Sequence, residues 1–354
     1  MQLSRPLWVL LAFACALILL ASNAINSWTT VVSSNQARLE YIARRDLRVG
    51  LGEPKAQLSP STLLAFVGVF TATKPERRQA VRSSWFPSSE AELARLEADT
   101  GIRFRFVVGH LQDSVAQAAL DQEQRDHQDF LVLKVQETYE NLVLKVYTFL
   151  QDVQARHNPE FIIKTDDDLY IRPDRLAQAI PQWQARGSGY IGAMRVGSEA
   201  HDMTNSPWYE PLGVLYSKKY HMYASGGFYA LSSEAVQLLT RIPMSQRRLA
   251  GGGEDASVGL WVLGYNIPYL DDRRLAGYVE KDWTTCPDNF IALTGPCNGL
   301  CDAEETLAKL HQDPNCTKAI TADLPMLDSY YDFSPVGCIK MDEEGNVNKT
   351  SCFP

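Results

Sequence analysis

Short apolar runs alternate with amphipathic stretches along the chain between Leu63 and Leu270. Runs rich in Val, Ile, Leu and Phe are typical of buried β-strands, whereas apolar residues recurring every three or four positions are typical of helices. Leu142, Val146 and Phe149, for example, fall on one helical face. The predicted strands are 63–70, 103–108, 130–135, 161–163, 169–171, 190–192, 227–231 and 267–270, and the predicted helices are 76–85, 139–154, 173–183, 232–240 and 255–263.

This alternation predicts an α/β sandwich, in which a mostly parallel central sheet is flanked by helices. Sheets of this kind bind ligands at the edge where the carboxyl ends of their strands meet. The residues that directly follow a predicted strand are therefore the first candidates for a functional site.

Three consecutive carboxylates, Asp166, Asp167 and Asp168, separate two of the predicted strands. Negative charge at the edge of a core is costly unless a cation shares it. Clustered hard oxygen atoms suit Mg²⁺ or Mn²⁺, which often keep a phosphate as a further ligand. We therefore predict a metal–diphosphate site. The alternative is a solvated acidic loop, although such a loop does not need apolar strands on both sides.

Basic side chains at two places could neutralise the phosphates of such a ligand. Arg77, Arg78 and Arg82 cluster near the start of the helix that follows the first strand. Arginine binds phosphate in a bidentate way, and Lys145 could reach a phosphate as a point charge. The alternative for each is an ordinary solvated surface position.

Two glycine-containing segments lie later in the chain. Gly226 and Gly227 would let the backbone approach a ligand closely, because they lack a Cβ. Trp208 and Tyr223 could pack against a sugar ring, although aromatic residues of this kind often belong to the core. Glu254 and Asp255 follow the run 251–253 of three glycines, and favourable interaction with the helix dipole could by itself explain these carboxylates.

Composition excludes some classes of protein. The chain has 354 residues, 45% of them hydrophobic, and a formal net charge of −8, which suffices for one large domain or two small ones. Nucleic-acid binding is not expected, because the balance is acidic and no basic stripe is present.

The N-terminal region differs from the rest. Leu7 to Ala21 is an uncharged apolar run, which predicts either a signal peptide cleaved near Ala24 or an uncleaved signal anchor. Either interpretation places the remainder of the chain in the lumen or outside the cell. Residues 26–61 are polar and contain Gly and Pro, which favours a stem or linker.

Cysteines and glycosylation sequons support that compartment. Six of the seven cysteines lie near the C-terminus, and an even, clustered set predicts disulfides whose pairing the sequence leaves open. A zinc site is the alternative, because Cys297 and Cys301 lie four apart, but no second close pair accompanies them. The disulfide candidates are Cys286, Cys297, Cys301, Cys316, Cys338 and Cys352, and the N-glycosylation candidates are Asn315 and Asn348.

Five segments in order resemble the β-1,3-galactosyltransferase family, glycosyltransferase family 31, and are most similar to its plant and green-algal branch. The resemblance extends over 63–275 and implies a GT-A fold, inverting chemistry, and a type II membrane protein of the Golgi. The segments are TATKPERRQAVRSSW at 71–85, YENLVLK at 139–145, KTDDD at 164–168, YHMYASGGFYALS at 220–232 and GEDASVG at 253–259.

The resemblance also implies roles for single residues. Asp168 would ligate Mn²⁺, or Mg²⁺, directly, while Asp166 and Asp167 would bind the ribose or metal-bound water. Asp255 would be the general base, with Glu254 beside it. Because no histidine lies between Asp255 and His311, a metal ligand would come from His311, from Asp166 or from water. The remaining expected donor-site residues are Thr71, Arg77, Arg82 and Lys145, and the expected acceptor-site residues are Trp208, Tyr223, Gly226 and Gly227.

The expected activity is transfer of galactose from UDP-galactose to a sugar hydroxyl of a glycan or glycoprotein, forming a β-1,3 linkage. UDP-N-acetylglucosamine is the alternative donor. A metal-dependent phosphohydrolase and a non-catalytic lumenal carbohydrate-binding protein are alternatives of other classes. The expected domains are a cytoplasmic tail and anchor at 1–25, a stem at 26–61, a GT-A domain at 62–283 and a cysteine-rich extension at 284–354.

Overall fold

The computed structural model describes residues 63–206, 209–211, 218–251, 253–280, 286–318 and 324–325, together with the backbone of two short strands. The predicted anchor and stem therefore lie outside the described residues, as do Trp208, Cys338 and Cys352. Of the helices in the described part of the chain, none has both the length and the apolar character needed to cross a membrane.

A seven-stranded sheet forms the centre of the fold. Its order is β3-β2-β1-β4-β7-β6-β8, and every neighbouring pair is parallel except the two that include β7. The strands are β1 Ala65–Phe70, β2 Ile102–His110, β3 Phe130–Gln136, β4 Phe161–Asp166, β6 Tyr190–Arg195, β7 Tyr223–Ser232 and β8 Tyr269–Asp271. This sheet confirms the predicted mostly parallel arrangement.

Helices cover both faces of the sheet. One face packs against α1, α2 and α5 through Val81, Leu93 and Ile180, and the other packs against α4 and α7 through Val146 and Val258. The helices are α1 Pro75–Arg82, α2 Glu90–Thr100, α3 Ser114–His127, α4 Leu142–Arg156, α5 Pro173–Ala185, α6 Ser233–Thr240, α7 Glu254–Leu263, α8 Ala303–Gln312 and α9 Pro314–Thr317. Successive strand residues point to opposite faces, so both faces need this cover. The layers are those of the predicted GT-A glycosyltransferase fold.

The sequence pattern missed helices α2 and α3. Each of them buries only one side chain, Leu93 in α2 and Leu120 in α3. Their ends are instead fixed locally, since Ser89 and Asp113 accept hydrogen bonds from the first turn of their helices. A helix with so narrow an apolar stripe gives little periodic signal.

Residues 286–318 pack into the core of the sheet domain. Strand β10, Ala292–Thr294, joins β5, Tyr170–Ile171, and β9, Gly277–Tyr278, in a small second sheet. Phe290 and Leu307 belong to the same hydrophobic cluster as the first face of the main sheet. Residues of this segment therefore share a core with the main sheet.

Two disulfides lie within residues 286–318. Cys286 pairs with Cys316, and Cys297 pairs with Cys301. The prediction of disulfides is confirmed for these four residues, and the zinc alternative for Cys297 and Cys301 is wrong. The last two elements, β11 Lys340–Met341 and β12 Val347–Asn348, pair with each other.

Candidate active site

The acidic turn lies at the carboxyl edge of the parallel strands. Strand β4 runs on to Asp166, which pairs in register with Phe70 at the end of β1. Asp167 and Asp168 form the turn that follows. The end of β1 and the acidic turn are therefore neighbours, as expected for the ligand-binding edge of such a sheet.

A cleft of about 640 Å³ opens beside this turn. Its size is typical of a site for a small ligand. The cleft brings together most of the residues expected to bind the donor, although they come from three separate segments. It is lined by Phe70, Thr71, Ala72, Thr73, Lys74, Arg77, Glu137, Thr138, Tyr139, Leu142, Lys145, Asp166, Asp167 and Asp168.

Asp168 has an unsatisfied carboxylate oxygen. Its Oδ1 atom is buried and has no hydrogen-bond partner among the described residues, while Oδ2 lies 3.5 Å from Nη1 of Arg77. Burial, followed by the charges of Asp166 and Asp167, raises the pKa of Asp168 to about 7. A buried hard oxygen of this kind is suited to a divalent cation. Among the described residues, no group of three or more His, Cys, Asp or Glu side chains is arranged to hold a metal ion.

Asp167 is the middle residue of the acidic turn. Its Oδ1 atom lies 3.8 Å from Nη1 of Arg77. Burial raises the pKa of Asp167, although Thr71 and Arg77 both favour its charged form. Like Asp168, it therefore carries a negative charge that the protein only partly compensates.

Arg77 connects the turn with helix α8. Its Nε atom donates a hydrogen bond of 2.9 Å to Oε1 of Glu304, and Nη1 faces Asp167 and Asp168. Sequence reasoning missed Glu304, because no local pattern links a surface carboxylate of α8 to an arginine of α1. Arg77 remains exposed enough to meet an anionic ligand, at 16% of its side chain.

The disulfide loop, residues 295–301, packs against Asp168. The Leu300 amide donates a 2.9 Å hydrogen bond to the carbonyl oxygen of Asp168. Gly299 packs against the carboxylate itself, and no side chain would fit between them. The Cys297–Cys301 disulfide closes this loop. Sequence reasoning did not include Gly299 in the site.

Lys145 also lines the cleft and is anchored there by two polar contacts. Its Nζ atom lies 2.8 Å from Oε2 of Glu137 and donates a 2.8 Å hydrogen bond to the carbonyl oxygen of Thr71. Burial lowers the pKa of Lys145, while Glu137 opposes that shift. Glu137 is a second residue that sequence reasoning missed, since a carboxylate after a strand gave no sign of its partner.

The structure does not bring Arg82 into this cleft. Its guanidinium is buried and pairs with Asp129 at 2.7 Å and with Glu123 at 2.7 Å. Arg78 also pairs with Glu123. These two arginines line a different cavity, of about 950 Å³, between α1 and α3, where Glu123 already binds both guanidinium groups. We therefore exclude Arg82 from the candidate site.

A second cluster of charges surrounds Lys164. Its Nζ atom lies 2.6 Å from Oδ1 of Asp166 and 2.8 Å from Oε1 of Glu254, and it donates a 2.6 Å hydrogen bond to the carbonyl oxygen of Gly226. Although burial by itself would lower it, the two carboxylates raise the pKa of Lys164 above its usual value. Lys164 belongs to the segment 164–168, but the sequence predicts no role for it.

Glu254 and Asp255 begin helix α7 directly after Gly253, whose φ of 118° suits glycine. Asp255 accepts hydrogen bonds from the amides of Gly226 at 2.9 Å and Ala256 at 2.8 Å, and burial raises its pKa. Glu254 accepts a 3.0 Å hydrogen bond from the hydroxyl of Tyr229. Burial, offset in part by Lys164, raises the pKa of Glu254 to about 7.

The remaining predicted residues lie in different surroundings. Tyr223 is only 7% exposed and packs edge-on against Tyr220, so the structure places it in a small core cluster. Gly227 faces the side chain of Leu169. The Nδ1 atom of His311 lies 3.2 Å from the hydroxyl of Tyr170, and burial lowers the pKa of that histidine.

Comparison with known proteins gives a family. The profile of the galactosyltransferase family matches residues 76–273. The chain is 36% identical to probable beta-1,3-galactosyltransferase 12 of Arabidopsis thaliana over 73% of this chain and 68% of that protein. It is 33% identical to probable beta-1,3-galactosyltransferase 13 of the same plant, over 73% and 74%.

Solved structures give a weaker likeness. Apo mouse xyloside xylosyltransferase 1 matches with a TM-score of 0.33 and 10% identity, over 67% of this chain and 98% of that one.

Proposed function

Because the chain belongs to the galactosyltransferase family and is a glycosyltransferase, we propose that it transfers galactose from UDP-galactose to a sugar hydroxyl. The product is a β-1,3 linkage formed with inversion at the anomeric carbon. The acceptor is a glycan or a glycoprotein. UDP-N-acetylglucosamine is the alternative donor, and a screen of donors distinguishes the two.

The observation that carries this proposal is the pairing of the acidic turn with cations across one cleft. Arg77 and Lys145 line the same cleft as Asp166, Asp167 and Asp168. Cationic side chains suit the phosphates of a nucleoside diphosphate, and a cluster of carboxylates suits the divalent cation that accompanies such a ligand. A carbohydrate-binding module has no need of either group.

The residues of the turn fit a divalent cation. Among the described residues, Asp168 presents a buried oxygen without a hydrogen-bond partner, and burial, followed by the charges of Asp166 and Asp167, raises its pKa to about 7. Asp168, with Asp166 and Asp167, would hold Mn²⁺ or Mg²⁺. When bound, the cation would supply positive charge to the diphosphate of the leaving UDP.

Asp255 is the proposed general base. Inversion requires one carboxylate to take the proton of the acceptor hydroxyl while that oxygen attacks the anomeric carbon from the face opposite UDP. Two backbone amides orient the Asp255 carboxylate, and burial raises its pKa towards the range in which it can accept a proton. Glu254 lies beside it and orients the cluster through Tyr229 and Lys164.

A lumenal location in the Golgi, with an N-terminal anchor, completes the proposal. Two disulfides lie among the described residues, and disulfides persist in oxidising compartments. Asn315 lies exposed on α9, where an oligosaccharide would be accessible to solvent.

A donor screen tests the function. UDP-galactose, UDP-N-acetylglucosamine and UDP-glucose are offered with simple acceptor glycosides, with and without Mn²⁺, to the wild type and to Asp255→Asn. We expect β-1,3 transfer from UDP-galactose that needs the metal and Asp255. Hydrolysis of simple phosphate esters without transfer would indicate a phosphohydrolase. Glycan binding that needs no UDP and survives Asp255→Asn would indicate a binding protein.

A further inference from the structure

Gly226 contacts two charged residues, Lys164 of the segment 164–168 and Asp255 of the segment 253–259. Its carbonyl oxygen accepts a 2.6 Å hydrogen bond from Nζ of Lys164, and its amide donates a 2.9 Å hydrogen bond to Oδ2 of Asp255. Lys164 also lies 2.6 Å from Asp166. A continuous series of contacts therefore runs from the acidic turn through Lys164 and Gly226 to the proposed base.

Strand geometry explains why Lys164 occupies this place. Lys164 and Asp166 are two residues apart on β4, so their side chains leave the same face of the sheet. Tyr229 lies opposite Lys164 on β7, and its hydroxyl donates to Glu254. The β4–β7 pairing therefore gathers the ammonium group, the phenol and both carboxylates on one face.

Lys164 is isolated from solvent and from the cleft. Only 2% of its side chain is exposed, and its Nζ atom lies 5.7 Å from the ring centre of Phe70. It does not line the donor cleft. Electrostatic interactions are stronger in such surroundings than in water, so loss of the ammonium would leave Asp166 and Glu254 to repel each other.

We propose that Lys164 is a positioning residue, which fixes the Asp255 carboxylate relative to the acidic turn through Gly226 and Glu254. The inference rests on the proposed function and adds to it a residue that touches neither substrate. A displacement of about 1 Å at a reacting group can lower a rate about 100-fold. The effect of Lys164 should therefore appear in turnover, through Asp255, more strongly than in donor binding.

A double-mutant cycle of turnover tests this coupling. We expect Lys164→Met to lower kcat about 100-fold. Residues that act as a unit give non-additive losses, so the double variant Lys164→Met with Asp255→Asn should be within about threefold of Asp255→Asn alone. Calorimetry with UDP provides a readout that does not depend on turnover, and we expect the loss of UDP affinity to be at least about tenfold smaller than the loss of kcat.

Arg274→Met is the matched control. Arg274 is another fully buried cation, paired with Asp272 at 2.6 Å, and none of its described side-chain hydrogen bonds or ion pairs reaches the segments 164–168 or 253–259. We expect Arg274→Met to lower the unfolding temperature, as removal of any buried cation does, and to leave kcat within about threefold of the wild type. This variant separates general destabilisation from positioning.

Three results would overturn the inference: losses that multiply in the double variant, a kcat for Lys164→Met no lower than that for Arg274→Met, or equal losses of UDP affinity and kcat. If Lys164→Met does not fold, the cycle is repeated with the combined variant Lys164→Met, Glu254→Gln in place of Lys164→Met and with Glu254→Gln in place of the wild type. The combined variant removes the buried carboxylate of Glu254 together with its cation. A wild type inactive with every donor would instead refute the proposed function.

Discussion

Gly299 packs its Cα against the carboxylate of Asp168 so closely that a Cβ on Gly299 would lie 2.4 Å from Cγ of Asp168. Real Cβ atoms do not approach other atoms to that distance, so the position admits only glycine unless Asp168 moves. The residue proposed to hold the metal is thus located by a backbone contact from a distant part of the chain.

Gly299→Ala should therefore displace the Asp168 carboxylate. We expect the Mn²⁺ concentration for half-maximal transfer to rise at least about tenfold, because altered ligand geometry weakens metal binding. A titration of activity with Mn²⁺ measures this. Gly264→Ala is the control, since a Cβ there meets its nearest atom at 3.6 Å and φ is −72°. An unchanged titration for Gly299→Ala would remove the disulfide loop from the site.

The raised pKa of Asp168 makes stability depend on pH when no metal is bound. Because the folded-state pKa of about 7 exceeds the usual 3.8, the folded state binds more protons than the unfolded state between those values. Stability from this group is therefore fully present below about pH 4 and is lost as pH rises towards 7. In EDTA, Asp168→Asn should unfold at a higher temperature than the wild type at pH 8, and the difference should shrink towards pH 4. A difference that does not vary with pH would contradict the assigned burial.

Arg77 and Arg82 should respond differently to substitution, although both belong to one motif. Arg77→Met removes a cation that lines the donor cleft, so UDP affinity should fall about tenfold. Arg82→Met leaves Asp129 buried without its partner, which costs about 3–5 kcal/mol of folding stability. Calorimetry with UDP and thermal unfolding separate the two effects. Equal losses of UDP affinity would return Arg82 to the donor site.

The two disulfides should also differ. Cys286 and Cys316 are 30 residues apart, so Cys286→Ser should lower stability by about 3–4 kcal/mol. Cys297 and Cys301 are only four apart, and their bond constrains the unfolded chain less. We expect Cys297→Ser to lower the rate of transfer but to lower the unfolding temperature less than Cys286→Ser does. The reverse order of effects would show that this loop serves stability alone.

The sequence predicted the sheet and the acidic turn because those features are local. Apolar runs mark β1 and β4, and Asp166–Asp168 come shortly after the run 161–163, which is typical of a strand. The sequence predicts that this strand ends at Ile163, because Lys164 interrupts the apolar run, whereas β4 continues to Asp166. A lysine in a buried strand is tolerated only because Asp166 and Glu254 neutralise it, and Glu254 is distant in the sequence.

Long-range pairing accounts for the other differences. Arg77 and Arg82 are alike in sequence, and only the positions of Glu304 and Asp129 determine which one remains near the cleft. Tyr223 looked suitable for a sugar face, but helix α7 brings Gly259 against it and buries it. The spacing of residues within one segment does not predict contacts with residues that are distant in the sequence.

The packing of Gly299 against Asp168 has a consequence for biosynthesis. Gly299 and Glu304 are translated long after the acidic turn, Arg77 and Asp255, and chains fold from the N-terminus as they emerge. A nascent chain that already contains every proposed donor-site carboxylate still lacks the backbone that locates Asp168. The enzyme should therefore acquire its metal and nucleotide affinity only after the last helices have docked and oxidation has closed their loop, so that a chain whose maturation stalls remains inactive.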